Sequence, residues 1–287
     1  MPTATVIYHG NCPDGFTAAW LMYKCIGDWY LKVDLVPASY QTPPPDEVGT
    51  DVFLVDFCYE PEYLRDLAKR SHNLTILDHH ETASEWVHEV WPDLVFSEWD
   101  DELHQVLDAK VLDQNHSGAM LAQLWTGSNV PFVRHVEDRD LWRHQFKETE
   151  QVVQAMLSYD YTLENWDKLV AMGIWELRSQ GESIVRYRDR LIAQVVDEAY
   201  QTDLLGHEGI WVAGCPYTIG SDVAGILAER HDPERFAATY VDKPNGIRKW
   251  GARSVNPTGM NVAALAKPLG GGGHPHAAGW ALPRSEP

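Results

Sequence analysis

The chain has 287 residues, 44% hydrophobic and 23% charged, enough for two domains that each bury a core. With 23 basic against 42 acidic residues the formal net charge is −19, which makes long nucleic acid a poor partner unless metal ions or a local basic patch intervene. No apolar run approaches the roughly 20 residues of a membrane span, and Cys12, Cys25, Cys58 and Cys215 form no CxxC pair, which speaks against a disulfide framework or a zinc knuckle and fits a reducing, cytoplasmic setting.

The first residues, MPTATVIYHG, lack a basic stretch and read as a β-strand, not as a secretory signal. Three short β-branched runs share one plan: TVIYH ends at His9, VFLVD at Asp56 and LTILD at Asp78. The first two lead into the helical patterns FTAAWLMYKCI and PEYLRDLAKR, as βαβ units require, so a mostly parallel sheet flanked by helices is expected. The acidic segment 98–116 has no evident assignment. Helical periodicity resumes at SGAMLAQLW, with Ser117 as N-cap, and continues through QVVQAMLSYD and LENWDKLVAMGIWELRSQG. The amphipathic stretch from Ser183 to Tyr200 is expected to join the domains, giving a first domain over 1–182, a connecting helix over 183–203 and a smaller α/β domain over 204–287. In the latter, GIWVAG, FAATYVD and KWGARSV read as strands and SDVAGILAERH as a helix capped by Ser221. Trp125, Trp142, Trp166, Trp175 and Trp211 sit within apolar patterns and read as core.

The chemistry is concentrated at the strand ends. In a parallel sheet ligands bind outside the carboxyl ends of the strands, where His9 and Asp14 of HGNCPDG, Asp56 and His79 are expected to meet. Several carboxylates buried together repel unless a cation joins them, and a two-metal site suits the cleavage of phosphate esters. Oxygen and imidazole donors favour Mn²⁺ over zinc, with Mg²⁺ as the alternative. Asp138 and Asp140 of EDRDLW read, by themselves, as helix carboxylates paired locally with Arg139. Near the C-terminus Gly270, Gly271, Gly272 and Gly273 either form a flexible linker or expose N–H groups in a phosphate nest, to which a following helix would add its positive end. Arg253 is either a surface arginine or a planar fork for a phosphate. His274 is placed to donate to a phosphate or a base, and His276 reads as a structural neighbour.

Taken in order, HGNCPDG, VDF, LDHHE, EDRDLW and GGGGHPHAAG resemble the successive signatures of the DHH/DHHA1 phosphoesterases over nearly the whole chain. That family includes RecJ-type exonucleases, oligoribonucleases, cyclic-dinucleotide and 3′,5′-bisphosphate hydrolases, and manganese-dependent polyphosphate hydrolases. The resemblance implies a DHH catalytic domain followed by a DHHA1 substrate-binding domain. It implies that His9 binds one manganese, that Asp14, His79 and Asp138 bind a second, and that Asp56 bridges both. Asp78 would orient its neighbours, His80 would face the substrate, and Arg253 would grip a non-scissile phosphate. The chain departs from the pattern after His9, where family members commonly carry two aspartates and this one has only Asp14. Asn11 offers an amide oxygen there and Cys12 a sulfur, although a small residue in a turn is the plainer reading of Cys12. The function implied is two-metal hydrolysis of short nucleotides, namely oligoribonucleotides, dinucleotides or 3′,5′-bisphosphate nucleotides. Inorganic polyphosphate hydrolysis is the second reading and a weakly catalytic nucleotide sensor the third. The partner expected is a small phosphorylated substrate, with no long nucleic acid and no membrane, and homo-oligomers left open.

Overall fold

Alternation along largely buried central strands organises the N-terminal half. The computed structural model describes residues 2–40, 42–92 and 110–284; residues 98–109 of the unassigned acidic segment, His104 among them, lie outside these. The elements in chain order are β1 (Thr3–His9), α1 (Pro13–Ile26), β2 (Lys32–Ala38), β3 (Asp51–Val55), α2 (Pro61–Arg70), β4 (Asn73–Asp78), α3 (Glu81–Val90), β5 (Lys110–Leu112), α4 (Gly118–Thr126), α5 (Val133–Asp140), α6 (Thr149–Leu157) and α7 (Leu163–Asp197). The five strands form one sheet in the order β2-β1-β3-β4-β5, every neighbouring pair parallel. All five residues of β3 are buried, so its side chains must serve two faces. Phe53 and Val55 join Val6, Tyr8 and Leu77 in a core with α1 and α4, whereas Val52 and Leu54 join Ile7 and Ile76 in a core with α2 and α3. Because β1 passes to β2 on one side while β3 lies on its other side, the connections diverge at the β1/β3 boundary and open a crevice at their carboxyl ends. His9 and Asp56 stand there.

The helices after β5 complete the first core. Ser117 caps α4 as expected, its hydroxyl accepting from the Met120 N–H. Trp166 of α7 is fully buried, donates from Nε1 to Thr17 Oγ1 at 3.0 Å and meets Phe16 edge-on. Trp175 departs from the expected core position and is 80% exposed. Gly173, with φ 72°, breaks the helical path just before it, and Leu177, fully buried, takes the core face two residues on, leaving the indole on the opposite side beside Arg178.

The chain divides into two compact units, Met1–Val185 and Arg186–Pro287, with the division inside α7. The second unit contains β6 (Tyr200–Leu204), β7 (His207–Gly214), α8 (Tyr217–His231), β8 (Ala237–Asp242), β9 (Ile247–Arg253), α9 (Val262–Ala266), β10 (Gly272–His274) and β11 (Ala277–Pro283). Its strand order is β10-β11-β9-β8-β7-β6, with β7 and β8 parallel and the other pairs antiparallel. Val223 and Leu227 of α8 pack on one core of the unit, and Val262 and Ala266 of α9 on the other. Two local expectations change here. Pro216, not Ser221, precedes α8, so Ser221 lies inside the helix. The glycine run enters β10 and is followed by β11, with no helix behind it. Its composition has a packing reason: a Cβ on Gly271 would stand 2.2 Å from Gly279 O, and one on Gly273, whose φ is +141°, 2.3 Å from Ala277 O.

Candidate metal centre

Five chain segments deliver the site. β1 ends in His9, β3 runs into Asp56, β4 ends in Asp78 followed by His79 and His80, α1 begins with Asp14 in its first turn, and α5 ends in Asp140. Asp56 adopts φ 54°, a left-handed conformation that costs a non-glycine residue about 1–3 kcal/mol and is held by its N–H donating to Leu77 O at 2.9 Å. Gly118, the first residue of α4, lets the backbone approach this bend, since a Cβ there would sit 2.3 Å from Asp56 Cβ.

Asp56 presents one oxygen to each side of the site. Its Oδ1 lies 3.0 Å from His79 Nε2, and its Oδ2 lies 3.6 Å from His9 Nδ1, beyond hydrogen-bond length. His79 Nε2 is also 3.5 Å from Asp140 Oδ2 and 3.9 Å from Asp14 Oδ2. Asp14 is fully buried and half satisfied: Oδ1 accepts from the Ser117 hydroxyl at 2.6 Å and from the Ala119 N–H at 3.0 Å. Asp14 Oδ2, Asp56 Oδ2, Asp140 Oδ2 and His9 Nδ1 have no hydrogen-bond partner among the described residues. Leaving such a buried group unsatisfied costs about 1–3 kcal/mol each, so their convergence describes a place built for positive charge. Two triads, His9, Cys12 and Asp56 and then Asp14, His79 and Asp140, each bring one ligand atom per residue within 4.8 Å of one another. The donor chemistry and the orphaned oxygens fit divalent cations.

The charges act on each other accordingly. Burial, then Asp56 and Asp140, hold the Asp14 carboxyl well above its usual range despite Ser117 and Ala119. Burial raises Asp140 as well, with His79 opposing. For Asp56 burial is outweighed by the hydrogen bond from His79 and by the nearby His9 imidazole, and its carboxyl falls well below the usual range. Burial would lower His79, yet the bond to Asp56 and the charges of Asp140, Asp56 and Asp78 carry it up to about 9. Asp78 Oδ1 accepts from the His79 N–H at 2.7 Å, the His80 N–H at 3.2 Å and His80 Nδ1 at 2.7 Å, which fixes both the bend after β4 and the His80 ring. Tyr40 and Phe57, neither singled out by the sequence, wall the site beside the His9 ring.

Of the residues expected to hold metal, His9, Asp14, Asp56 and His79 come together and Asp138 does not. Asp138 faces the following loop, where its carboxylate accepts from Gln145 N–H, Phe146 N–H and the Thr149 hydroxyl at 2.8, 3.2 and 2.5 Å. Burial would raise it, but these bonds and His144 bring it below its usual range. His135 belongs to the same network, with Nδ1 3.0 Å from Thr149 Oγ1. Asp140 occupies the expected place instead. Two residues along a helix point nearly opposite ways, so EDRDLW signals one inward carboxylate without saying which.

In the second unit, Arg253 ends β9 and donates from Nε to Ser221 Oγ at 2.7 Å. His276 Nδ1 lies 2.8 Å from Ser254 Oγ, the structural role expected of it. His274 closes β10, and Gly272 and Gly273 pair with β11 at the edge of the sheet.

No family model matches the chain. It is 22% identical over 300 residues to the uncharacterized protein R106 of Acanthamoeba polyphaga mimivirus, covering 96% of this chain and 67% of that protein. Among solved structures it is similar to the pGpG-specific phosphodiesterase PggH of Vibrio cholerae, at 12% identity and TM-score 0.46, covering 98% of this chain and 93% of that one. It is likewise similar to RecJ of Thermus thermophilus in complex with Mn²⁺, at 16% identity and TM-score 0.49, covering 98% of this chain and 49% of that one. At these identities and TM-scores the likeness assigns the chain no activity. No helix among the described residues is long and apolar enough to cross a membrane.

Proposed function

We propose that this protein is a two-metal phosphoesterase that hydrolyses short nucleotide substrates, with Mn²⁺ as its working ion. The observation that carries this reading is the position of Asp56, which shares one ligand triad with His9 and Cys12 while its Oδ1 lies 3.0 Å from His79 of the other, with its own Oδ2 and those of Asp14 and Asp140 buried and without hydrogen-bond partners among the described residues. His9 and Asp56 would hold one ion, Asp14, His79 and Asp140 the other, and Asp56 would belong to both. When bound, such a pair supplies a nucleophile from water near neutral pH and neutralises the phosphoryl oxygens. The remaining roles fall to the protein. Asp78 keeps a proton on His80 Nδ1, so Nε2 is the atom with which His80 would meet a substrate oxygen or pass a proton to the leaving group. Ser117 and the start of α4 hold Asp14 in one orientation. Arg253, with Ser221 beside it, and His274 are the phosphate-binding candidates of the second unit.

The net charge of −19 favours a short substrate, because a long polyanion meets repulsion from the molecule as a whole. A second reading, a nucleotide-binding sensor with little turnover, is favoured by one observation, the thiol of Cys12 where a carboxylate would strengthen the first ion site. Product release from dinucleotides, 3′,5′-bisphosphate nucleotides, cyclic dinucleotides and polyphosphate, measured with Mn²⁺ and then with chelator, separates them. Manganese-dependent turnover of a nucleotide class, abolished in His79→Ala, is expected. Turnover of polyphosphate alone would replace the substrate assignment, and nucleotide binding without any turnover would establish the sensor.

A further inference from the structure

The two ligand triads are not chemically alike. The one at Asp14, His79 and Asp140 offers only oxygen and nitrogen, whereas the one at His9 and Asp56 includes a sulfur, that of Cys12. Three features make this sulfur more than a small residue in a turn. Cys12 precedes α1 but makes no side-chain capping bond, and it is in no disulfide. Asn11, the other residue standing where a carboxylate is missing, is exposed and adopts φ 56°, while the chain beyond it turns back toward the site. The partners of Cys12 are themselves unsatisfied: Asp56 is 1% exposed, and its Oδ2 and His9 Nδ1 have no hydrogen-bond partner among the described residues. One ligand atom each of His9, Cys12 and Asp56 lies within 4.8 Å of the others, which places the sulfur where a cation held by His9 and Asp56 would sit.

We infer that the Cys12 thiolate is a ligand of the ion held by His9 and Asp56, so that this site selects a thiophilic cation such as Zn²⁺ or Co²⁺ while the Asp14, His79 and Asp140 site takes a hard one such as Mn²⁺. This rests on the two-ion reading of the centre and changes what that reading says of the first ion. Thiolate is the soft donor among protein ligands, and it discriminates strongly for zinc and cobalt over manganese, which oxygen donors do not. On coordination the S–H bond is lost, its proton leaves to solvent and the sulfur lone pair binds the cation.

Cobalt tests this without reference to activity. The full chain, stripped of metal, is titrated with Co²⁺ while bound cobalt is counted by equilibrium dialysis and the near-ultraviolet thiolate-to-cobalt charge-transfer absorption is followed. The expected result is two bound ions, with the charge-transfer band saturating as one site fills. In Cys12→Ser the band is expected to vanish and the affinity of that site for Co²⁺ and Zn²⁺ to fall at least about tenfold, the loss seen on disturbing even the outer partners of metal ligands. Cys12→Asp should bind two ions without the band and accept Mn²⁺ at both sites, which shows that a lost band in Cys12→Ser is not a failure to fold. Two cobalt ions bound with no band in the natural chain, or a band that survives in Cys12→Ser, would overturn the inference and leave the two-ion centre standing. No bound cobalt would overturn both.

Discussion

Asp138 and Asp140 are two residues apart and do opposite work. Asp138 satisfies two N–H groups and a hydroxyl in the loop that follows α5, while Asp140 brings a buried, unsatisfied oxygen to His79. Replacing Asp138 with alanine should therefore lower stability by about 1–3 kcal/mol, the cost of orphaned buried donors, and leave metal stoichiometry unchanged. Asp140→Ala should do the reverse, losing one ion while the metal-free protein keeps its stability, because a carboxylate repelled by Asp56 has been removed. Urea denaturation of the metal-free proteins, together with metal counting, decides between these assignments, and the opposite pattern would return Asp138 to the site. The residue types at the site were legible in the sequence because each closes a strand or opens a helix next to a recognisable turn. The choice within EDRDLW was not, because it depends on which face of α5 the neighbouring helices and loop cover.

At the scale of elements, the site depends on how closely strand ends and helix starts approach. Gly118 begins α4 against the bend at Asp56, and a methyl group there has no room. Gly118→Ala is expected to cost about 1–3 kcal/mol, as overpacking of a filled site does, and to weaken metal binding. Unchanged metal affinity in a calorimetric titration would show that the close approach does not position Asp56. The opposite ends of the strands are tied by Asp51, which opens β3 and accepts from Tyr30 Oη at 2.7 Å and from Asn73 Nδ2 at 2.8 Å. Burial and this carboxylate push the Tyr30 phenol up to about 12 from an ordinary 10. The folded state thus favours the protonated phenol. Its stabilisation is complete below the unfolded value near 10 and is lost as the pH rises through about 12. In melting curves the natural chain should exceed Tyr30→Phe at pH 8, with the gap closing between pH 10 and 12; a constant gap would mean that the hydroxyl bond is not what stabilises the strand starts.

For the whole molecule, each unit has its own cores, and the residues of the two ligand triads all belong to Met1–Val185. A ligand stabilises the state that binds it, by about 2.7 kcal/mol at a hundredfold excess over its Kd. Mn²⁺ should accordingly slow amide exchange in β1, β3 and β4 and leave the central strands β8 and β9 of the second unit unchanged. Protection rising in β8 and β9 alone would put the ions elsewhere.

The strands that end in His9, Asp56 and Asp78, the parallel sheet they form and the residue types gathered at their carboxyl ends could be read from the chain alone. β-branched runs and βαβ spacing are local properties of the chain, and each run ends in its functional residue. That Asp140 and not Asp138 faces His79, that the glycine run pairs as a strand, and that Cys12 shares its site with His9 and Asp56 emerge once the chain is folded. These depend on which groups from distant segments arrive within a few ångströms of each other, and that distance is set by packing across the sheet, which no single stretch of sequence contains.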